Sequence, residues 1–142
     1  MIEIAPTRDI ATCRWLRRVV FIEEQGVSEA DEIDDLDDQA IHLLARLDGQ
    51  PVGSARLLVQ GETGKVGRVC VLRAARGLGL GAALMRAAVA EFAGIAGVRR
   101  VKLGAQTHAL GFYERLGFLA TGPEYLDAGI AHRDMVLDLP PR

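Results

Sequence analysis

No stretch of this chain reaches the roughly 18 consecutive apolar residues that a membrane-spanning helix requires, so no membrane partner is expected. The opening residues, Met1-Ile2-Glu3-Ile4-Ala5-Pro6, carry no base and begin no long apolar core, which argues against a secretory leader. Cysteine is scarce. Cys13 falls in a helical pattern and Cys70 in a strand-like run, far apart in sequence, and two buried, reduced thiols in a cytoplasmic protein are the expectation. Aromatic residues make up only 5% of the chain, with no stripe of aromatics interleaved with bases on which nucleobases could stack. A nucleic-acid partner is therefore not expected either. Repeats and low-complexity linkers are also missing, so residues 1–142 read as one domain.

What is present is an ordinary globular balance over 142 residues, 49% apolar and 25% charged, enough to bury a core without staples. The net charge of −2 conceals an asymmetry. Residues 21–40 hold nine acids and no lysine or arginine, which leaves the rest of the chain with ten acids against seventeen bases. Most of that acidic run is expected to be a solvated loop. The functional alternative is a negative lip that draws in a cationic substrate by its long-range field.

Along the chain, residues 1–4 alternate as a short strand. Thr7 or Asp9 is placed to cap a helix whose apolar positions Ile10, Cys13, Leu16 and Val20 recur at helical spacing. Residues 41–47 and 52–59 read as strands joined at Asp48-Gly49, a strong hairpin signal. A second turn at 61–64 leads to a strand over 66–72. A helix follows over 80–96 with Leu80, Leu84, Ala88 and Phe92 on one face. Residues 99–104 form a strand, Thr107 starts a helix that Gly117 ends, and 135–139 is the last strand. Hairpins followed by a β-α-β-α-β order predict an α/β fold with a mixed sheet.

Between the strand at 66–72 and the helix from Leu80 lies Arg76-Gly77-Leu78-Gly79-Leu80-Gly81-Ala82. Glycines at a helix start leave its free N–H groups uncovered, and those groups with the helix dipole attract phosphate. Arg76 adds a charged fork to the same place. A magnesium-dependent P-loop is excluded, because Gly64-Lys65 is followed by Val66 rather than Ser or Thr, with no helix after it. The loop also satisfies the dinucleotide pattern G-x-G-x-x-A, but Val101-Lys102-Leu103-Gly104 offers no ribose-binding acid. A tight strand-to-helix turn without ligand is the remaining alternative.

Arg76-Gly77-Leu78-Gly79-Leu80-Gly81 resembles the Arg-x-x-Gly-x-Gly signature of the GNAT acetyltransferase superfamily. Gly111-Phe112-Tyr113-Glu114-Arg115-Leu116-Gly117-Phe118 resembles that family's Phe-Tyr-Glu-x-Leu-Gly-Phe segment. Phe21-Ile22-Glu23-Glu24-Gln25-Gly26-Val27, His42-Leu43-Leu44-Ala45 and Gly129-Ile130-Ala131-His132 are similar to a small bacterial branch, the ElaA-like proteins. The resemblance implies a splayed mixed sheet of six or seven strands with about four helices, binding acetyl-CoA without a metal. It implies pyrophosphate on Arg76 and on the amides of Leu78 to Ala82. Pantetheine would lie between the strands carrying Val69, Cys70 and Val71 and Val101 to Gly104. Where many members carry an asparagine after the second of these strands, this chain has Gln106 as its substitute, and Phe112 and Tyr113 complete the donor-binding set.

The activity so implied is transfer of an acetyl group to a primary amine by direct attack in a ternary complex. The alternative is a CoA-binding module without catalysis, and nicotinamide-dependent reduction is a third reading. By the same resemblance, Val71 N–H is assigned to the thioester carbonyl and Tyr113 to the departing sulfur. For the base that accepts the amine proton, Glu24 is the first choice, with Glu23, His108 and His132 as alternatives near the acceptor. Cys70 is not expected to carry an acyl group, since it faces away from Val69 and Val71. His42 is expected to be structural, and Arg73 is a weaker phosphate ligand. Small members of the family are often dimers, and a homodimer is the corresponding expectation.

Overall fold

Asp48 and Gly49 both take positive φ, 50° and 85°, the left-handed pair that matches strand twist in a two-residue hairpin. They join β2 (Ile41–Leu47) to β3 (Gln50–Gln60) in the computed structural model, which describes residues 1–141. Leu43 and Ala45 bury on one side of β2 and Leu44 on the other. That two-sided burial explains why β2 reads as a continuous apolar run rather than an alternation. β1 (Ile2–Thr7) pairs with β2 at one edge, and β4 (Thr63–Val71) follows β3 antiparallel.

The described residues form one seven-stranded sheet in the order β1-β2-β3-β4-β5-β7-β6, completed by β5 (Arg100–Gln106), β6 (Leu119–Asp127) and β7 (Ile130–Asp138). Only β4 and β5 run parallel. Helix α1 (Ile10–Arg17) is capped by Asp9, which accepts from Thr12 N–H at 3.1 Å, and packs Cys13 and Leu16 on one face of the sheet. Helix α3 (Leu80–Ala93) covers the other face. Leu80, Leu84, Ala88 and Phe92 are all buried there, as the helical spacing predicts. A Cβ at Gly64 would collide with the Phe92 ring, so this glycine lets the helix sit close to β4.

Several boundaries differ from the sequence reading. Past Arg17 the first helix widens into π-helical geometry over Arg18–Glu24, which carries Val20, the last of the spaced apolar residues, and Gly26 at φ 73° follows its end. A three-residue 3-10 turn, Thr107–Ala109, precedes α4 (Leu110–Arg115), and Gly117 follows its end at φ 99°. β6 carries no sequence signal, because Gly122 and Pro123 lie inside it. Gly122, at φ 76°, sits where the β6–β7 register shifts between Thr121 and Tyr125.

The acidic run is solvated only in part: Glu23, Glu29, Asp31, Asp35 and Asp38 are exposed, but the run folds over the sheet as α2 (Glu29–Glu32) and a 3-10 turn at Asp37–Gln39, and Glu32, Asp34 and Asp37 turn inward onto arginines. Arg17, itself 2% exposed, donates to Glu32 at 2.6 Å and with both terminal nitrogens to Asp37 at 2.9 and 3.0 Å. Arg14 reaches Asp37 at 3.0 Å, and Arg56 grips Asp34 at 2.7 and 2.9 Å. Burial alone would raise the Asp37 carboxyl. The Arg17, Arg14 and Arg56 guanidiniums outweigh it and hold the group well below the usual carboxylate range. His42 is structural, as expected: its Nε2–H donates to the Asp37 carbonyl at 2.9 Å.

Candidate active site

β4 and β5 pair only where Thr63, Gly64 and Lys65 meet Arg100, Val101 and Lys102. Beyond Lys65 the two strands part. The parting begins at a bulge in β4, where Arg68 takes φ 52° and the register against β3 shifts between Ser54 and Arg56. The separation opens a cleft of about 500 Å³, with Val69, Gln106, Tyr113 and His132 among its walls. Leu72 N–H goes to the Val52 carbonyl at 2.8 Å. By alternation along the strand, the N–H and C=O of Val71 therefore point toward the side that β5 has vacated. Cys70 packs with Cys13, Leu16 and Leu44 on the far face, and burial pushes its thiol pKa up. Both cysteines are buried and free.

The glycine loop leads from β4 into α3. Gly77 and Gly79 take φ 85° and 79°, and a Cβ at either would meet nothing within 4 Å. Gly79 caps α3 without any side-chain hydrogen bond, so the first amides of the helix face outward uncovered beside exposed Leu78. A Cβ at Gly81 would stand 3.5 Å from the Phe112 ring, so the loop passes close to α4 there. Uncovered amides at the start of a helix are a geometry that suits an anion.

Arg76 does not reach over those amides. Its Nε donates to the Val71 carbonyl at 3.0 Å, and its two terminal nitrogens grip Glu24 at 2.6 and 2.7 Å. Arg73 stands 3.6 Å from the same carboxylate. The hydrogen bond from Arg76 draws the Glu24 carboxyl below its ordinary range. The first-choice base is thereby a poor proton acceptor in this arrangement, and it does not line the cleft. Glu23 is exposed, 3.8 Å from Arg18, and His108 is exposed on its 3-10 turn; neither enters the cleft wall.

Tyr113 and His132 do enter it. Tyr113 meets Phe112 and Phe118 edge-on, at 5.0 and 6.2 Å between ring centroids, and burial raises its pKa so that the phenol stays protonated. On β5, Val101, Leu103 and Ala105 bury into the core under α3, which turns Lys102, Gly104 and Gln106 to the cleft side. Gln106 is in register with His132 of β7, and His132 with Tyr125 of β6, so the three share one row across the sheet floor. Gln106 also donates to Gln25 at 3.2 Å, tying that row to the end of the π-helical segment. His132 Nδ1 lies 2.7 Å from the Ile130 carbonyl. A carbonyl only accepts, so Nδ1 carries a proton, and in the neutral imidazole the lone pair is on Nε2.

Tyr125, Asp134, Lys102 and Arg68 line the same cleft and were not picked out from the sequence. The period-two spacing of His132 and Asp134 was the signal available, and it became useful only once β6 was in place. Of the acidic run, Asp31 and Glu32 line the cleft; Glu32 is held by Arg17, and neighbouring Asp34 by Arg56.

The sequence profile of the Acetyltransferase (GNAT) domain matches residues 20–139. An acyl-CoA N-acyltransferase from Pseudomonas aeruginosa is 32% identical to this chain, with a TM-score of 0.87 over 96% of this chain and 99% of that one. Escherichia coli ElaA is 29% identical, with a TM-score of 0.84 over the same shares. A Bacillus subtilis acetyltransferase, solved in complex with CoA, has the same fold at 17% identity, with a TM-score of 0.76 over 99% and 100% of the two chains. Among the described residues, no helix is long and apolar enough to cross a membrane.

Proposed function

Since the chain belongs to the GNAT acetyltransferase family, we infer that its 142 residues act as one domain moving an acetyl group from acetyl-CoA to a primary amine by direct attack. The observation that carries this reading is the shared cleft. Tyr113 and His132 face it together, beside an uncapped helix start that fits a pyrophosphate. The CoA seen in the fold relative supports the choice of donor.

When bound, acetyl-CoA supplies an acyl group already activated as a thioester. The amides at Leu80 to Ala82, in the loop opened by Gly77 and Gly79, hold the diphosphate, and the unpaired edge of β4 from Val69 to Val71 takes the amide-rich arm like an added strand. Val71 N–H polarises the carbonyl oxygen. Its own carbonyl is fixed by Arg76 Nε, which keeps that peptide plane in one orientation. Tyr113 holds a proton for the departing sulfur. His132 Nε2, not Glu24, accepts the proton of the attacking amine, because its tautomer is set by Ile130 while Glu24 is bound to Arg76.

Saturating CoA, about a hundred times its Kd, should stabilise the protein by about 2.7 kcal/mol and raise its melting temperature by several degrees. A protein unmoved by millimolar CoA or acetyl-CoA is not this enzyme. Firm binding with no CoA release across a broad amine panel would instead support a binding module.

Glu24 and a pyrophosphate would compete for the same guanidinium. Calorimetric titration should therefore show that Glu24→Gln binds CoA severalfold more tightly than the natural protein, and Arg76→Ala more weakly. Weaker binding by Glu24→Gln would mean that the pair presents Arg76 to the donor rather than withholding it.

A further inference from the structure

Residues on three strands meet beside His132. Tyr125 stacks on the imidazole, with ring centroids 5.9 Å apart and an interplanar angle of 22°. Its hydroxyl donates to Asp134 Oδ1 at 2.7 Å, and Lys102 Nζ stands 3.5 Å from Oδ2 of the same carboxylate. The Tyr125 side chain thus leans from β6 over β7 toward β5. It has room to do so because residue 104 is glycine: a Cβ there would collide with the Tyr125 hydroxyl. The lean is costly in design terms. Tyr125 is 39% exposed on an edge strand, and nothing in the core requires it.

We propose that Tyr125 is a positioning residue for His132. Its ring is the wall that holds the imidazole plane, while Ile130 fixes the tautomer, so that Nε2 faces the cleft. Asp134 and Lys102 anchor the hydroxyl end of that wall, and Gly104 is the gap that admits it. The Nδ1 hydrogen bond restricts rotation about the Cβ–Cγ bond, and the facing Tyr125 ring restricts it further. Proton transfer from a bound amine needs the lone pair aligned within hydrogen-bond reach, which is what this second constraint provides. The assignment rests on His132 being the base.

The test compares Tyr125→Leu, Tyr125→Phe and Gly104→Ala with the natural protein in steady-state kinetics, CoA titration and NMR of the His132 ring protons. Tyr125→Leu should lower kcat by about ten- to a hundredfold, with KM for acetyl-CoA and CoA affinity unchanged. Tyr125→Phe keeps the ring and should recover most of the turnover. Gly104→Ala, which displaces the tyrosine without touching it, should behave like Tyr125→Leu. In the NMR spectra the upfield ring-current shift of the His132 protons should vanish in Tyr125→Leu and persist in Tyr125→Phe. Natural kcat in Tyr125→Leu, or a Tyr125→Phe protein as slow as Tyr125→Leu, overturns the proposal. The two readings fail separately: if His132→Gln keeps full turnover, the base assignment falls, while the NMR arm still reports whether Tyr125 orients the ring.

Discussion

Replacing Arg17 with methionine should lower the free energy of unfolding by about 3–5 kcal/mol, a large share of the 5–15 kcal/mol typical of a domain. The side chain is buried to 2% exposure and satisfies two carboxylates that are themselves buried, Glu32 and Asp37. Removing it leaves one carboxylate oxygen of Glu32 and part of the Asp37 pair facing an apolar gap. Methionine fills most of the volume, so the measured loss reports charge rather than cavity. Urea unfolding gives the number. A loss below about 1 kcal/mol would show that water reaches the cluster and that it behaves as a surface network. If Arg17→Met yields no folded protein, the triple change with Glu32→Gln and Asp37→Asn should regain part of the stability, because no buried charge is then left unpaired.

The same cluster sets an acid limit. The Asp37 and Asp34 carboxyls are both held below their ordinary range in the folded protein. Their contribution is complete above about pH 5, where an unfolded aspartate is almost fully ionised, and it disappears as pH falls toward the depressed folded values. Arg17→Met removes the largest of the guanidinium contributions at Asp37. Its carboxyl rises, and the acid edge of stability moves to higher pH.

That cluster also marks where the sequence stops being legible. Local patterns found α1, α3, the Asp48-Gly49 hairpin and the Gly117 stop, because each follows from the spacing or backbone freedom of neighbouring residues. They did not find the fate of the acidic run. Its partners Arg14, Arg17, Arg56 and Arg68 lie up to dozens of residues away, and a charge pattern read along the chain does not show which opposite charge will fold onto it. The site divides in the same way. Tyr113 and the glycine loop were legible because each is a contiguous motif. The Gln106–His132–Tyr125 row depends on the register of three strands, one of them hidden by Gly122 and Pro123. Arg76 and Glu24 were each singled out, for opposite duties. Their mutual ion pair, spanning 52 positions, could be seen only in the folded chain.

Tyr113→Phe should cost about a hundred- to ten-thousandfold in kcat and leave CoA affinity and melting temperature within error of the natural protein. The change deletes one oxygen. Phenylalanine keeps the edge contacts with Phe112 and Phe118 that orient the ring, so α4 stays in place. What disappears is the hydroxyl proton that the proposed mechanism assigns to the departing sulfur. Burial raises the Tyr113 pKa, so the natural phenol remains protonated well past neutral pH, and the deficit of the variant should be constant across the neutral range. Single-turnover measurements with acetyl-CoA and an accepted amine separate this step from product release. A variant that turns over at the natural rate would return Tyr113 to the aromatic cluster as packing alone. The sulfur would then take its proton from elsewhere in the cleft, and Tyr125 is poorly suited to supply it, because its own hydroxyl proton is engaged with Asp134.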